Sequence, residues 1–270
     1  MTKNEYVLPS SEAESRRLEE QAALYGGVAF LERFLADTPA EVLEVGCGTG
    51  YFARYVAERL PGSRVTGVDV DEERLAFARS RACVPNLTFL RGDIAALPFL
   101  DGRFDLVFCR FVLVHATSPG ADLAEMARVT RPRGQVVAYD MVHAGIWFSP
   151  PRPAFEELLR RALTVMREQG MEPDQGLHLA PGMQRAGLVG VQAEVIPYLA
   201  LGSEAAFDAY RCNWIETIAG LAESLGTHFD PALVERAQRE LAREGDDQLI
   251  LETTVLACGR KSGAAAKKTP

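Results

Sequence analysis

Short unbroken apolar runs alternate with stretches of helical apolar spacing through the first half of the chain. This alternation predicts strands at 41–45, 64–69, 87–90, 104–109 and 135–140, with helices at 50–60, 71–82 and 118–130 between them. Pro61-Gly62 stops the first of these helices, and Pro132-Arg133-Gly134 turns the chain into the fifth strand. Strand and helix at such short intervals read as an α/β fold with a parallel, doubly wound sheet.

Ahead of this block, residues 11–36 carry a helical pattern. Leu18, Ala22, Tyr25, Ala29 and Leu31 form its expected inner face, with Glu and Arg outside. Ser10 or Ser11 is the expected N-cap, and Gly26-Gly27 splits the segment in two. After a Pro-rich break at 150–153, helices are predicted at 153–169 and 176–187, a strand at 188–196, and helices at 203–224 and 230–243. A last strand at 248–258 is expected to insert antiparallel beside the fifth. The division expected is N-terminal lid helices at 1–36 and a main domain at 37–260, with helical insertions at about 144–170 and 203–244. A disordered tail at 261–270 completes it.

The 270 residues, 47% of them apolar, suffice for one large α/β domain carrying a cap. The net charge is −8, and the lysines are confined to Lys3, Lys261, Lys267 and Lys268, which weighs against a nucleic-acid partner. Cys47, Cys83, Cys109, Cys212 and Cys258 are widely spaced with no Cys-x-x-Cys pair, so reduced and mostly buried thiols are expected, and no metal. With no apolar leader and no run of membrane-spanning length, a soluble cytoplasmic protein is expected.

Glu44-Val45-Gly46-Cys47-Gly48-Thr49-Gly50 lies on the first strand-to-helix turn. Glycines let such a turn close tightly and approach a ligand, and the crevice at the strands' carboxyl ends is where cofactors bind in open α/β sheets. A dinucleotide loop needs Gly-x-Gly-x-x-Gly, but the third glycine would fall at Tyr51, and Glu44 would repel a phosphate. Asp69 ends the second strand, where an acid can accept from ribose hydroxyls. Asp93 follows the third strand, where a carboxylate can accept from an adenine amino group while Ile94 packs on the ring. Together these residues outline a nucleoside site.

The ordered set formed by Glu44 to Gly50, Gly67-Val68-Asp69, Gly92-Asp93, Phe104-Asp105-Leu106-Val107 and Arg128 to Gly134 resembles the class I S-adenosylmethionine-dependent methyltransferases over about residues 40–141. The resemblance implies a Rossmann-like seven-stranded sheet of order 3-2-1-4-5-7-6 with strand 7 antiparallel, and S-adenosylmethionine as cofactor. By position, Glu44 and Gly46 would line its methionine part, Asp69 its ribose, and Asp93 with Ile94 its adenine. Cys47, Gly48, Val70 and Gly92 belong to the same lining, and Arg110 would lie beside the methionine or the methyl group. Arg133 stands where the family usually has glycine. Tyr6-Val7-Leu8-Pro9, Glu14, Arg17-Leu18 and Gln21 are similar to the openings of small-molecule methyltransferases of bacterial secondary metabolism, which implies that Tyr6 and Gln21 lie near the methionine end.

Such an enzyme mainly aligns a nucleophile with the S–CH₃ bond. If the acceptor carries a proton to be removed, His143, next to Asp140 after the fifth strand, is the first candidate base, followed by His115; His178 and His228 rank lower. The chain lacks the Asn/Asp-Pro-Pro-Tyr/Phe motif of adenine- and glutamine-directed enzymes and the clustered acids of metal-dependent catechol-type ones. Trp147, Phe148, Phe155, Phe207, Tyr210 and Trp214 either line an acceptor pocket or pack the cap onto the sheet. The leading expectation is O- or N-methylation of a small molecule, by a monomer or a homodimer, with no nucleic-acid or membrane partner. Peptide or protein methylation, a non-catalytic S-adenosylmethionine-binding regulator and a nucleotide-dependent oxidoreductase stay open as alternatives.

Overall fold

The computed structural model describes residues 11–24, 27–225 and 230–263. Ser10, Tyr6, Tyr25, Gly26 and His228 lie outside the described residues. Two helices, α1 (Glu12–Ala23) and α2 (Ala29–Leu35), precede the alternating block β1 (Glu41–Val45), α3 (Tyr51–Arg59), β2 (Arg64–Asp69), α4 (Glu72–Arg81), β3 (Leu87–Arg91), β4 (Phe104–Arg110), α5 (Pro119–Val129) and β5 (Thr130–Ser149). Then follow α6 (Pro153–Glu168), α7 (Leu179–Arg185), β6 (Leu188–Leu201), α8 (Ala205–Leu225), α9 (Pro231–Leu241) and β7 (Leu249–Lys261).

The strands form one seven-stranded sheet in the order β3-β2-β1-β4-β5-β7-β6. The first five strands pair in parallel, and β7 runs antiparallel to both β5 and β6. This is the expected topology. Side chains alternate between the faces of a strand. Val42 therefore joins a core with α2, α3 and α4, while Leu43 and Val45 join one with α5 and α7. A third core, built on Phe155, Phe207, Tyr210 and Trp214, holds α6, α8 and α9 over the far end of the sheet.

Several expectations need correction. β5 does not stop at 140 but reaches Ser149, so the helical insertion begins at Pro153 and not near 144. The pairing of β5 with β7 is irregular between Val142 and Trp147, and this excursion hides the strand's continuation from a period-two reading. β6 continues to Leu201 through Pro197, which is tolerated because β6 is an edge strand paired with β7 alone. β7 extends to Lys261, whose ammonium donates to the Arg128 carbonyl, so the expected tail does not begin there.

On α1, Ser11 caps the helix as expected, but Glu14 and Arg17 are buried, not outside, because they pair with each other beneath the cap. Ala29, placed on the inner face, is exposed, and Phe30, Leu31, Phe34 and Leu35 supply the packing of α2 instead. Of the cysteines, Cys47 and Cys109 are buried, Cys258 is half-buried, and Cys83 and Cys212 are exposed.

Candidate functional site

A cleft opens at the carboxyl ends of β1, β2 and β4 and is roofed by Leu18, Gln21 and Ala22 of α1. Counted out to its open mouth it holds about 1070 Å³ of empty space. Gln21, Glu44, Gly46, Cys47, Gly48, Asp69, Val70, Gly92, Asp93, Ile94, Arg110 and His115 all line it. Asp140 and His143 are not among its lining residues.

The loop after β1 is pinned by its neighbour strand. The Cys47 N–H donates to the Val68 carbonyl at 2.9 Å, and the Gly48 N–H to Asp69 Oδ2 at 2.7 Å. Asp69 Oδ1 also accepts from the Asp71 N–H at 3.0 Å. Each carboxylate oxygen has two lone pairs, so Asp69 retains acceptor capacity toward the cleft. Burial raises its pKa, and the backbone bonds from Asp71 and Gly48 oppose that rise.

Two glycines of the loop serve different ends. Gly46, at φ +66°, sits so close to Val112 that a Cβ would come within 2.4 Å of a methyl. At Gly48, φ +50°, which lines the cleft, a Cβ would meet nothing within 4 Å. The Cys47 thiol lies on the Gly67 side, where a Cβ added at Gly67 would be 3.0 Å from its sulfur. Burial raises the thiol pKa far above its ordinary value, so Cys47 serves the loop as an inert, protonated side chain.

Glu44 is 2% exposed, and its Oε2 has no hydrogen-bond partner although it borders the cleft. Burial pushes its pKa well up; the Ala53 backbone bond and the Arg110 and Arg54 charges pull the other way. A buried carboxylate oxygen without a donor is costly. A ligand bringing an ammonium or hydroxyl group to this point would relieve the cost. Asp93 accepts from the Ala95 N–H at 2.9 Å and is exposed toward the cleft mouth, while Ile94 is buried beside it. Carboxylates from three successive strand ends thus face one cavity, and this set of acceptors fits a cationic, hydroxyl-bearing nucleoside.

Arg110 stands among aromatic rings, with its guanidinium carbon 4.9 Å from the centre of Phe52, 4.0 Å from Phe111 and 5.6 Å from Tyr139. Phe111 adopts a left-handed backbone, φ +55°, and its N–H donates to the Tyr139 carbonyl at 2.8 Å. Positive φ is rare in a bulky residue and marks a position held by its surroundings.

The three catalytic candidates separate. His115 lines the cleft, and burial, with His143 and Arg74 nearby, lowers its pKa to about 3, so its imidazole is neutral. Asp140 is 1% exposed; its Oδ2 accepts from the Val114 N–H and its Oδ1 from the Met141 N–H, both at 3.0 Å. Burial raises its pKa to about 7. It ties the turn after β4 to β5. His143 lies in the β5 excursion, and its Nδ1 is bonded to the Pro173 carbonyl. A carbonyl only accepts, so Nδ1 carries the proton and Nε2 is the basic nitrogen. Burial also lowers the pKa of His143.

Sequence reasoning missed Arg74, which is 5% exposed and lines the cleft from the first turn of α4. Its spacing from Asp69 put it on the inward face of that helix, which was the available signal. It also missed Phe52, Phe111 and Val112, whose roles depend on the turn after β4. Of the aromatic cap residues, Phe148, Phe155, Phe207, Tyr210 and Trp214 pack in the third core, and Trp147 is 67% exposed. None of them lines the cleft.

Comparison with known proteins agrees with this architecture. Residues 42–134 match the family model described as "Methyltransferase domain". That segment is similar to a methyltransferase domain, and the sheet around it has the strand order that the sequence resemblance implied. A demethylmenaquinone methyltransferase of Renibacterium salmoninarum is 34% identical over 144 residues, 53% of this chain and 58% of the relative. A malonyl-[acyl-carrier protein] O-methyltransferase of Pectobacterium atrosepticum is 39% identical over 112 residues, 40% of this chain and 42% of the relative. The chain thus spans about half the length of the curated relatives it matches.

Among solved structures, phosphoethanolamine N-methyltransferase 2 of Haemonchus contortus, in complex with S-adenosyl-L-methionine, superposes with a TM-score of 0.55 at 20% identity, covering 82% of this chain and 48% of that one. The [4+2]-cyclase SpnF superposes with a TM-score of 0.54 at 20% identity, covering 96% of this chain and 85% of that one. At these identities the likeness is one of fold.

Proposed function

We propose that this chain transfers a methyl group from S-adenosylmethionine to a small-molecule acceptor. The observation that carries the reading is the convergence of Glu44, Asp69 and Asp93, from three neighbouring strand ends, on one cleft beside Gly48, where a Cβ would meet nothing within 4 Å. Asp69 would hold the ribose hydroxyls, Asp93 and Ile94 the adenine, and Glu44 the methionine ammonium. Bound there, the cofactor supplies an electrophilic methyl group. The chain supplies alignment and the exclusion of water, through the α1 roof and the wall of Arg110, Phe111 and Val112.

The acceptor would approach from the side of Phe111 and His115. Neutral His115 suits a hydrogen bond to an acceptor better than proton abstraction, since a base of pKa about 3 has little driving force near neutrality. His143, with Nε2 as its basic nitrogen, stays a candidate base only for an acceptor that reaches past His115. The relatives' names point to a small acceptor group, free in one case and carried on an acyl-carrier protein in the other, and they differ, so neither acceptor transfers to this chain. The N-terminal resemblance supports a role in secondary metabolism. The exposed thiols of Cys83 and Cys212 suit the reducing cytoplasm.

Incubation with methyl-labelled S-adenosylmethionine and panels of phenols, amines and carboxylic acids tests the reading. Label is expected in one low-molecular-weight product, with S-adenosylhomocysteine formed in equal amount. Label in peptides alone would favour protein methylation. Binding of the cofactor without turnover on any panel would favour a regulator, or other chemistry on the same fold, as the cyclase neighbour illustrates.

A further inference from the structure

The roof helix α1 has little apolar surface to seat it. Its sequence is Glu12-Ala13-Glu14-Ser15-Arg16-Arg17-Leu18-Glu19-Glu20-Gln21-Ala22-Ala23, and its buried residues are Glu14, Ser15, Arg17 and Ala22, with Leu18 half-buried. Burying one small side chain and part of a leucine removes little apolar surface from water. That is too little to fix a twelve-residue helix in one place. Directional polar contacts therefore decide where α1 sits.

One of those contacts reaches the glycine loop. Arg54, on the second turn of α3, points its two terminal nitrogens in different directions. Nη1 donates to the carbonyl of Thr49 at 2.9 Å, inside the loop. Nη2 donates to both carboxylate oxygens of Glu19 on α1, at 3.0 Å and 2.8 Å. Arg54 and Glu19 are only 14% and 16% exposed, so water screens the pair weakly. Glu19 lies on the same helix as the cleft-lining Leu18, Gln21 and Ala22, and Thr49 lies between Gly48 and Gly50. One planar fork therefore joins the floor of the cleft to its roof.

We propose that Arg54 is a positioning residue that locks α1 over the cofactor by binding the glycine loop and the roof helix with the same guanidinium. The inference rests on the reading of the cleft as an S-adenosylmethionine site. A ligand beneath the roof gains contacts with Leu18 and Gln21 only while α1 is seated, and it gains the loop amides only while the loop keeps its shape. The Arg54 fork favours both conditions at once, so its effect falls mainly on how long a ligand stays. A lysine cannot replace it, because a single ammonium on a flexible stem cannot span both acceptors in the same fixed geometry.

Hydrogen exchange and S-adenosylhomocysteine binding, measured on Arg54→Ala, Arg54→Lys, Glu19→Ala and the Arg54→Ala/Glu19→Ala double variant, test this. Arg16→Ala, which breaks an exposed pair on the outer side of α1, serves as control. In the ligand-free protein, Arg54→Ala is expected to raise exchange in both α1 and residues 46–50, and Arg16→Ala in neither. With S-adenosylhomocysteine, Arg54→Ala is expected to weaken binding about tenfold through faster dissociation, with the association rate unchanged. Arg54→Lys should recover less than half of that loss on a logarithmic scale. The double variant should bind no more weakly than Arg54→Ala alone. Exchange confined to one of the two segments, multiplicative losses in the double variant, or full rescue by lysine would each overturn the proposal. Failure of the wild type to bind S-adenosylhomocysteine would instead strike the reading of the cleft, and the ligand-free exchange would still decide whether Arg54 joins roof and loop.

Discussion

Glu44 and Asp69 are the cleft-lining acids proposed to hold the cofactor, and both sit where burial holds their pKa values up. A cation bound at Glu44 stabilises its ionised form, so binding of the cationic cofactor should release protons. Affinity for S-adenosylmethionine is therefore expected to rise with pH across the range in which Glu44 titrates. The sign follows from the direction of the shifts: a carboxyl whose pKa is raised must lose its proton to pair with the ligand, and does so more readily as pH rises. His115 does not confuse the measurement, because with a pKa near 3 it stays neutral across that range. Calorimetry in buffers of different ionisation enthalpy reads the proton count directly, and proton uptake would contradict the assignment. Asp69→Asn is expected to weaken S-adenosylhomocysteine binding by about 1.5 kcal/mol or more, by removing a charged acceptor of hydroxyl bonds. Unchanged affinity would remove Asp69 from the ribose position.

At the scale of elements, the glycine loop and the irregular start of β5 make contrasting predictions. Gly46→Ala adds a methyl against Val112 at φ +66° and is expected to cost folding stability roughly 2–3 kcal/mol. Gly48→Ala has only backbone strain to bear, about 1 kcal/mol, yet adds a methyl at a cleft-lining position and should weaken S-adenosylhomocysteine binding at least about tenfold. Denaturant unfolding beside a binding titration separates the two. Equal effects of both variants on both readouts would refute the division of roles. Arg133 occupies the left-handed region at φ +67°, where its side chain is strained. Arg133→Gly is expected to raise stability by about 0.5–1 kcal/mol without touching the cleft, and a lower melting temperature would contradict this. The sequence already showed Arg133 as the odd residue of that stretch; its backbone angle supplies the reason.

The whole molecule divides into a part that could be read from the chain and a part that could not. β1, β2 and β4 were legible because each is a short, mostly buried and largely apolar stretch, with β1 followed by Gly46 and β2 closed by Asp69, and α4 was legible from its N-cap Asp71. The site acids were legible for the same reason, since topology alone brings successive strand ends into one crevice. The cap was not. Phe155, Phe207, Tyr210 and Trp214 have the spacing of either a pocket or a core, and only the packing of α6, α8 and α9 shows that they form a core. The excursion in β5 that turns His143 toward Pro173 has no sequence signal, because it depends on where β7 pairs. Arg54 and Glu19 are 35 positions apart, and nothing local couples them.

The cleft at the ends of β1 and β2 is proposed as the S-adenosylmethionine site. Calorimetric titration of the wild-type protein with S-adenosylhomocysteine, and separately with NADH, tests it most directly. An S-adenosylmethionine site requires saturable one-to-one binding of S-adenosylhomocysteine and no heat of binding with NADH. Binding of NADH with none of S-adenosylhomocysteine would contradict it.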